Sequence, residues 1–495
     1  MKKLSSIFSI TVCILLWGVF VSFSQDRHPA LFRENETYTY KSSYQDSAAL
    51  DSYIREYMTQ NHIPGVSACI VKQGRIIWTG NYGWAYVNLI IPVYDSTLFQ
   101  IASVSKTVTT AALMRLYDQD RFKLDDSINA YLPFPVRNPY YPDSAITFRM
   151  LLTHTSSIRD NWNFMFYYFH SDPPLPLRDY LNDYFTPDSQ YYSLQNFNNF
   201  PPGRSFQYCN IGFALAGYLV EAITGIEESK YCRDSLFTLL GMNESSFFYR
   251  DLDTMHMAMP YMWNSGYIPY GHYSYHDYPA GALKTSTIQL ARFLIAFMQY
   301  GWVGSVRILD SATVSLMITP QIPLIYSGQG LCWYKLYLGT RQLWGHHGGD
   351  FGIRTGMFFC PADTTGVLVF TNGEYPTDAI MNEMFNYAAT YVISVRRVSS
   401  NIPAEFKLHQ NYPNPFNPST KIQFSIPPSK GVRGMDVKLI IYDLLGREVA
   451  TLVNEQLKPG SYEVQWNASN FPSGVYFYRL TTDKFIGTKK MILVK

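Results

Sequence analysis

The stretch "IASVSKTVTT", residues 101 to 110, sets Ser103, Ser105 and Lys106 together at what reads as the start of a helix. In a helix, residues three apart share a face and residues two apart do not. Ser103 and Lys106 can therefore meet, while Ser105 belongs to another face and is expected to pack. A serine hydroxyl is a weak nucleophile until a base takes its proton. A lysine amine can do so if burial or neighbouring charge keeps it neutral. The SxxK spacing is short enough to recur by chance, so its meaning depends on the rest of the chain.

The chain has 495 residues, 47% of them hydrophobic and 16% charged, which suits a globular protein with a large core. A formal net charge of +2, with no basic run beyond the extreme N-terminus, argues against a nucleic-acid-binding surface. That N-terminus, "MKKLSSIFSITVCILLWGVFVSFSQ", combines two lysines, an apolar run and small residues at Ser22 and Ser24. Residues 1–24 thus read as a secretory signal peptide cut before Gln25. No later segment is long and apolar enough to cross a bilayer, so no stable membrane span is expected after cleavage. Once Cys13 has left with the signal, Cys69, Cys209, Cys232, Cys332 and Cys360 remain. An odd number without CxxC spacing is neither a disulfide framework nor a metal knuckle, and buried small hydrophobes are the expected role.

Between Asp46 and about Arg397, helical patterns such as "KTVTTAALMRLYDQD" and "IGFALAGYLVEAITG" lie between strand-like runs at both ends, "VSACIVKQGRIIWTGNYGWA" and "GVLVFTNG". This order predicts an α+β unit whose terminal strands share one sheet. The stretch "SVRRVSSNIPAEFKLHQ" is polar and weakly patterned, and residues 396–410 read as a linker. Beyond it, "TKIQFSIP", "DVKLIIYDLLG", "REVATLV", "SYEVQWNAS", "GVYFYRLTTD" and "TKKMILVK" alternate apolar and polar residues between turns, predicting a small all-β sandwich. No internal repeat is evident.

Two further stretches could complete a site. "PPGRSFQYCNIGFALAG" sets Tyr208 and Asn210 two apart ahead of a helix; in an extended loop both would point the same way, a phenol toward a proton-transfer position and an amide toward a substrate carbonyl. Tyr208 as plain core packing is the competing reading. "LWGHHGGDFGIRTGMFF" places His346, His347, Gly348 and Gly349 on a strand, where glycine lets a ligand approach backbone N–H groups that can hold an oxyanion. A zinc site would need His272 and His276 to join this histidine pair, but no acidic or cysteine partner sits at a recognisable spacing, and none is expected. "GGDFG" lacks the GKS ending of a phosphate loop and the full GxGxxG pattern, so nucleotide binding is discarded and no cofactor is expected.

Taken in order, these three elements resemble the serine β-lactamase-like family of class C β-lactamases, D-alanyl-D-alanine carboxypeptidases and related esterases. "LLTHTSSI" at 151–158 and "PAGALKTSTIQLARFL" at 279–294 add to the resemblance, which spans nearly all of Asp46 to Tyr391. It implies a transpeptidase-like fold, an antiparallel sheet with helices plus a helical region, over residues 25–395. By position, Ser103 matches the nucleophile, Lys106 its partner, and Tyr208 and Asn210 the second motif. His346, His347 and Gly348 match a third motif that is usually Lys-Thr-Gly or Lys-Ser-Gly. The oxyanion donors would be the backbone N–H groups of Ser103 and Gly349. His346 removes a permanent cation that would hold a substrate carboxylate, and His347 replaces a small hydroxyl with a ring. Both departures disfavour β-lactams and favour an ester or peptide substrate. Cys209 and Ser157, where the family often has serine and glycine, read as tolerated substitutions.

Residues 411–495, from "NYPNPFNPSTKIQFSIP" to "KKMILVK", resemble the type IX secretion C-terminal sorting domain. A carbohydrate-binding sandwich is the alternative, but Tyr476 and Tyr478 read more simply as residues of alternating strands. The expectation is an exported serine hydrolase, secreted or at the cell surface via the periplasm, that acts on a small-molecule or peptide acyl group; whether Lys106 or Tyr208 is the main base stays open. The alternative is a non-catalytic sensor or binding protein on the same fold. The aromatic stretches "NWNFMFYYFH" (161–170) and "YMWNSGYIPYGHYSYHDY" (261–278) are expected to form the rim of an apolar cleft.

Overall fold

The computed structural model describes residues 47–72, 74–303, 306–390, 396–399, 402–428, 434–468 and 471–494. The signal peptide read at residues 1–24 lies outside them. A seven-stranded sheet organises the larger domain. Its strands run in the order Tyr334–Leu338, Arg341–Asp350, Ile353–Cys360, Thr365–Thr371, Gly65–Lys72, Arg75–Tyr86 and Ile91–Pro92. Every pairing is antiparallel, and the first long strand meets the last through Val66↔Thr371 to Lys72↔Thr365. The terminal strands therefore do share one sheet, as the order of patterns implied.

"GVSACIVK" is buried along its whole length because helices cover both of its faces. Val66, Ala68 and Ile70 join the core beneath the helices Ala48–Gln60 and Asp378–Thr390. Cys69 and Val71 point the other way, into the larger core that includes Leu290 and Leu294 of the helix Thr287–Met298. A strand covered on both sides loses the alternation of a half-exposed one and reads as a continuous apolar run.

At the centre of the larger core runs the helix Ser105–Tyr117, eleven of whose thirteen residues are buried. Its buried polar residues are satisfied there, the Thr107, Thr109 and Thr110 hydroxyls donating to main-chain carbonyls and the Ser105 hydroxyl accepting from a main-chain N–H. Its neighbour, Asn210–Thr224, ends where Gly225 adopts a left-handed φ of 75°, the usual stop for a helix.

Toward the C-terminus, a pair of four-stranded sheets encloses a separate core that includes Tyr462, Trp466 and Leu480. Tyr478 is fully buried, and its hydroxyl donates to the His409 carbonyl and accepts from the Asn411 N–H, both at 2.8 Å. Tyr476 is 5% exposed, so both tyrosines pack inward and offer no binding platform. The stretch read as a linker at 396–410 differs from that reading: Arg396–Ser399 pairs with Gly460–Asn467, and Lys407–Leu408 with Ser419–Ile426. Edge strands need only one bonded neighbour and little apolar burial, so their sequences carry little pattern.

Candidate active site

Ser103 sits in a single 3-10 turn, Ala102–Val104, that leads into the helix Ser105–Tyr117. The turn is held from several sides. The Ile101 N–H donates to the Leu283 carbonyl at 2.9 Å, and the Leu283 N–H donates to the Ser105 hydroxyl at 3.1 Å. Ser105 is thus packed away from Ser103. Thr355 donates its hydroxyl to the Ile101 carbonyl at 2.8 Å. Ala102, just before Ser103, has a φ of 46°, a conformation that costs a residue bearing a Cβ and persists only where surroundings enforce it. The strand Arg341–Asp350 passes so close to this turn that a Cβ at Gly348 would collide with the Ile101 carbonyl oxygen and the Thr355 hydroxyl.

Lys106 is fully buried and its Nζ is surrounded by three acceptors: Ser103 Oγ at 3.0 Å, Asn210 Oδ1 at 2.8 Å and the Ala280 carbonyl at 2.6 Å. Burial pulls its pKa down to about 8, against the opposing pull of Cys332, Asp160 and Asp277. Tyr208 lies across the same point, with its ring centroid 4.9 Å from Lys106 Nζ and Ser103 close enough to act on its phenol. One edge of the ring stays open, so that the residue is 37% exposed, yet desolvation of the phenol raises its pKa, with Ser103 opposing. His154 stacks on this ring at 4.2 Å, and its Nδ1 accepts from the Cys209 N–H at 3.1 Å.

Asp160, which sequence reasoning missed, organises the second motif. Its carboxylate accepts from the Asn210 and Ile211 backbone N–H groups at 2.8 and 2.9 Å, from Asn210 Nδ2 at 2.9 Å and from the Cys209 thiol at 3.2 Å. These N–H groups are the unpaired donors of a helix start, where a carboxylate fits the exposed backbone charge. Asn210 is therefore the first residue of its helix and not part of an extended loop, which corrects the sequence reading; both it and Tyr208 still face Lys106. With Asn210 Nδ2 committed to Asp160, Oδ1 is left for Lys106. Asp160 stands five residues beyond the threonine of "HT", too far along a loop for spacing to reveal it.

The histidines divide. His346 is buried, its Nδ1 bonds the His347 carbonyl at 2.5 Å, and its Nε2 has no partner among the described residues. Burial, then the nearby Lys106 charge, pushes it down to about 3, so it is neutral at pH 7. His347 is held by two groups, Asp378 Oδ1 at 2.7 Å from Nε2 and the Tyr334 hydroxyl at 2.6 Å from Nδ1. That contact draws the Asp378 carboxyl below its usual range. His272 and His276 lie apart from this pair: His276 stacks on Tyr180 at 4.5 Å, and burial lowers both to about 4.

Two cavities meet at Ser103 and Gly349. One, of about 550 Å³, is walled by Trp162, Phe166, Tyr167 and Tyr275. The other, of about 360 Å³, is lined by His154, Phe206, Tyr334, His346 and His347. The two aromatic stretches pair with each other, Tyr167–Phe169 against Tyr273–Tyr275, and so raise a wall over the larger cavity. That cavity is not apolar, as the sequence led one to expect, because Arg159, Asp160, Asp277 and Asp350 line it as well. All five described cysteines are free and buried.

A strained serine turn, a buried lysine against it, a tyrosine across it and a glycine strand alongside define a serine hydrolase site. The chain belongs to the Beta-lactamase family, which matches residues 50–390, and residues 410–495 match the secretion system C-terminal sorting domain. Among curated relatives, Protein flp of Staphylococcus aureus (strain NCTC 8325 / PS 47) is 25% identical over 50% of this chain and 47% of its own length. Beta-lactamase-like protein 2 of Dictyostelium discoideum is 26% identical over 70% of this chain and 61% of its own. The chain thus spans about half the length of the first of these relatives. Among solved structures, the octameric penicillin-binding protein homologue from Pyrococcus abyssi has a TM-score of 0.58 at 19% identity, covering 90% of this chain and 100% of that one. The D-amino acid amidase from Ochrobactrum anthropi SV3, complexed with L-phenylalanine amide, has a TM-score of 0.58 at 20% identity, covering 69% and 98%. At these identities the likeness is one of fold.

Proposed function

We propose that the protein is an exported serine hydrolase that works through an acyl-serine intermediate on an ester, D-amino-acid peptide or β-lactam-like substrate, with the ester type favoured. One observation carries this reading. Besides Ser103, the partners of Lys106 Nζ are the Asn210 Oδ1 and the Ala280 carbonyl, both of which can only accept. A neutral amine has two N–H bonds for them and one lone pair, and the lone pair is then left facing Ser103 Oγ.

On this reading Ser103 Oγ attacks the substrate carbonyl as its proton passes to Lys106, while the backbone N–H groups of Ser103 and Gly349 hold the oxyanion. Tyr208, beside Ser103, relays a proton to the leaving group. Its raised phenol keeps that proton at neutral pH. Water then attacks the acyl-serine with the same groups acting in reverse. The neutral His346 offers no cation to a substrate carboxylate, which supports an ester or peptide over a β-lactam. It also motivates the second reading, a sensor that is acylated without turnover.

The proposed organisation is a signal peptide at 1–24 that crosses the inner membrane, a hydrolase domain at 25–395, a connecting stretch at 396–410, and a sorting domain at 411–495 read by the type IX machinery from the periplasm. Hydrolysis of a short-chain aryl ester by the purified protein and by Ser103→Ala tests the chemistry. Turnover lost in the variant supports the hydrolase, whereas a stable acyl adduct without turnover in the wild type supports the sensor.

A further inference from the structure

The larger cavity beside Ser103 holds more acidic groups than the chemistry above employs. Asp160 is spent on the helix start Asn210–Ile211. Asp277 and Asp350 line the same cavity and are not so occupied. Asp277 is 5% exposed, and among the described residues its carboxylate meets no hydrogen-bond donor beyond its own backbone N–H. Asp350 Oδ1 accepts from the Tyr167 hydroxyl at 3.1 Å and the Phe351 N–H at 2.8 Å, which leaves Oδ2 without a partner among the described residues.

Burial raises both carboxyls more than Lys106 pulls them down, or Arg354 pulls Asp350 down, and among the described residues neither acid is in an ion pair. Lys106 directs its Nζ at Ser103, Asn210 and Ala280. Arg354 gives Nη1 to the main-chain carbonyls of Asp350 and Ile353. Arg159 lines the cavity as an exposed side chain, and forms no ion pair with either acid. A buried carboxylate without hydrogen-bond donors, as Asp277 is, is costly, and beside it the half-buried Asp350 keeps Oδ2 open, so the two acids facing one cavity mark a place that a ligand completes.

We propose that this cavity binds a substrate ammonium group between the Asp277 and Asp350 carboxylates, directing the hydrolase to esters or amides that carry a primary amine beside an aromatic or apolar group. The inference deepens the acyl-serine reading and rests on it for the reaction. Trp162, Phe166, Tyr167 and Tyr275 supply the aromatic walls, whose ring faces favour both an apolar side chain and a cation. Burial pushes Asp277 up to about 7, with Asp160 adding to the rise, and Asp350 up to about 6. An entering ammonium supplies the directly bonded positive charge that both lack.

The test is titration calorimetry of the mature protein with 2-phenylethylammonium and with 2-phenylethanol, which match in size and differ in charge. The ammonium is expected to bind at least about tenfold more tightly, the scale of a charge-assisted hydrogen bond. Asp277→Asn and Asp350→Asn should each bring the ratio toward one, with a thermal melt to verify folding; if one does not fold, the other decides. Equal binding of the two probes by the wild type overturns the proposal, as does a preference that survives in the folded variants. Neither result depends on turnover. Ser103-dependent hydrolysis without an ammonium preference sinks the ammonium site alone, and a preference accompanied by hydrolysis that survives Ser103→Ala sinks the acyl-serine reading alone.

Discussion

Gly348 runs against the Ile101 carbonyl so closely that a single added methyl group has no room between strand and turn. The contact ties the strand bearing Gly349 to the turn bearing Ser103. Gly348→Ala must push the two apart. It should destabilise the fold by about 1–3 kcal/mol, the usual cost of overpacking. It should also lower kcat about tenfold or more, since small misplacements of oxyanion donors are expensive. Urea unfolding and steady-state kinetics on one preparation measure both. Wild-type kcat in a destabilised variant would separate the contact from the chemistry.

Lys106→Arg keeps the charge and loses the ability to shed a proton, because guanidinium stays protonated throughout this range. Turnover should fall by at least about a hundredfold, the scale of one lost general base. In the wild type, turnover should rise with pH through about 8, where burial has placed the lysine, since only the neutral amine can accept the Ser103 proton. A rate that is level across that value would remove the neutral-amine role.

Asp160→Ala strips four backbone and side-chain donors of their acceptor and frees Asn210 to turn. Losing a helix cap of this kind costs about 1–2 kcal/mol. Activity should drop further than stability predicts, because Asn210 Oδ1 then no longer holds Lys106. Asp160→Asn, which keeps an acceptor oxygen, should recover some of both; urea unfolding and ester turnover on the three proteins measure it.

Glu228 is fully buried among Thr109, Cys232 and Glu221, and burial raises its carboxyl from 4.5 to about 8. A folded-state pKa above the unfolded value means that the protonated form is favoured by the fold. That stability is complete below about 4.5 and is lost as pH rises toward about 8. Glu228→Gln should flatten the fall of Tm over this window and melt higher than wild type at its upper end. An unchanged slope would remove Glu228 as its source and leave Glu221 and Asp277, which burial raises to about 7, and Asp350, raised to about 6.

A chain ending before Arg396 should keep its activity and accumulate in the periplasm, because the C-terminal core is separate from those around the sheet. Cell fractionation with an esterase assay checks this. Export as efficient as that of the full chain would refute the sorting role, and loss of activity in a folded truncation would refute the independence of the domains.

The large units were legible because their signals are local or follow one period. The buried strand "GVSACIVK" and the alternating C-terminal strands each declare themselves within a few residues, and SxxK does so once the two later motifs follow it in order. The short strands at Arg396–Ser399 and Lys407–Leu408 did not, since edge pairing leaves no apolar stripe. Asp160, Asp277 and Asp350 come from three separate loops or strand ends, and only the folded chain brings them to one cavity. The charged lining escaped notice for the same reason. Aromatic runs are conspicuous in sequence, whereas single acids among them are not.

The wall over that cavity is a composite object: three residues from one aromatic stretch and three from the other, far apart in the chain, complete each other's hydrogen bonds as Tyr167↔Tyr275 to Phe169↔Tyr273. Neither half can be lengthened, shortened or transplanted alone without exposing the other's unpaired backbone. A change of substrate preference through this wall therefore needs a paired exchange, with both stretches altered together while the sheet and the serine turn beneath them stay as they are.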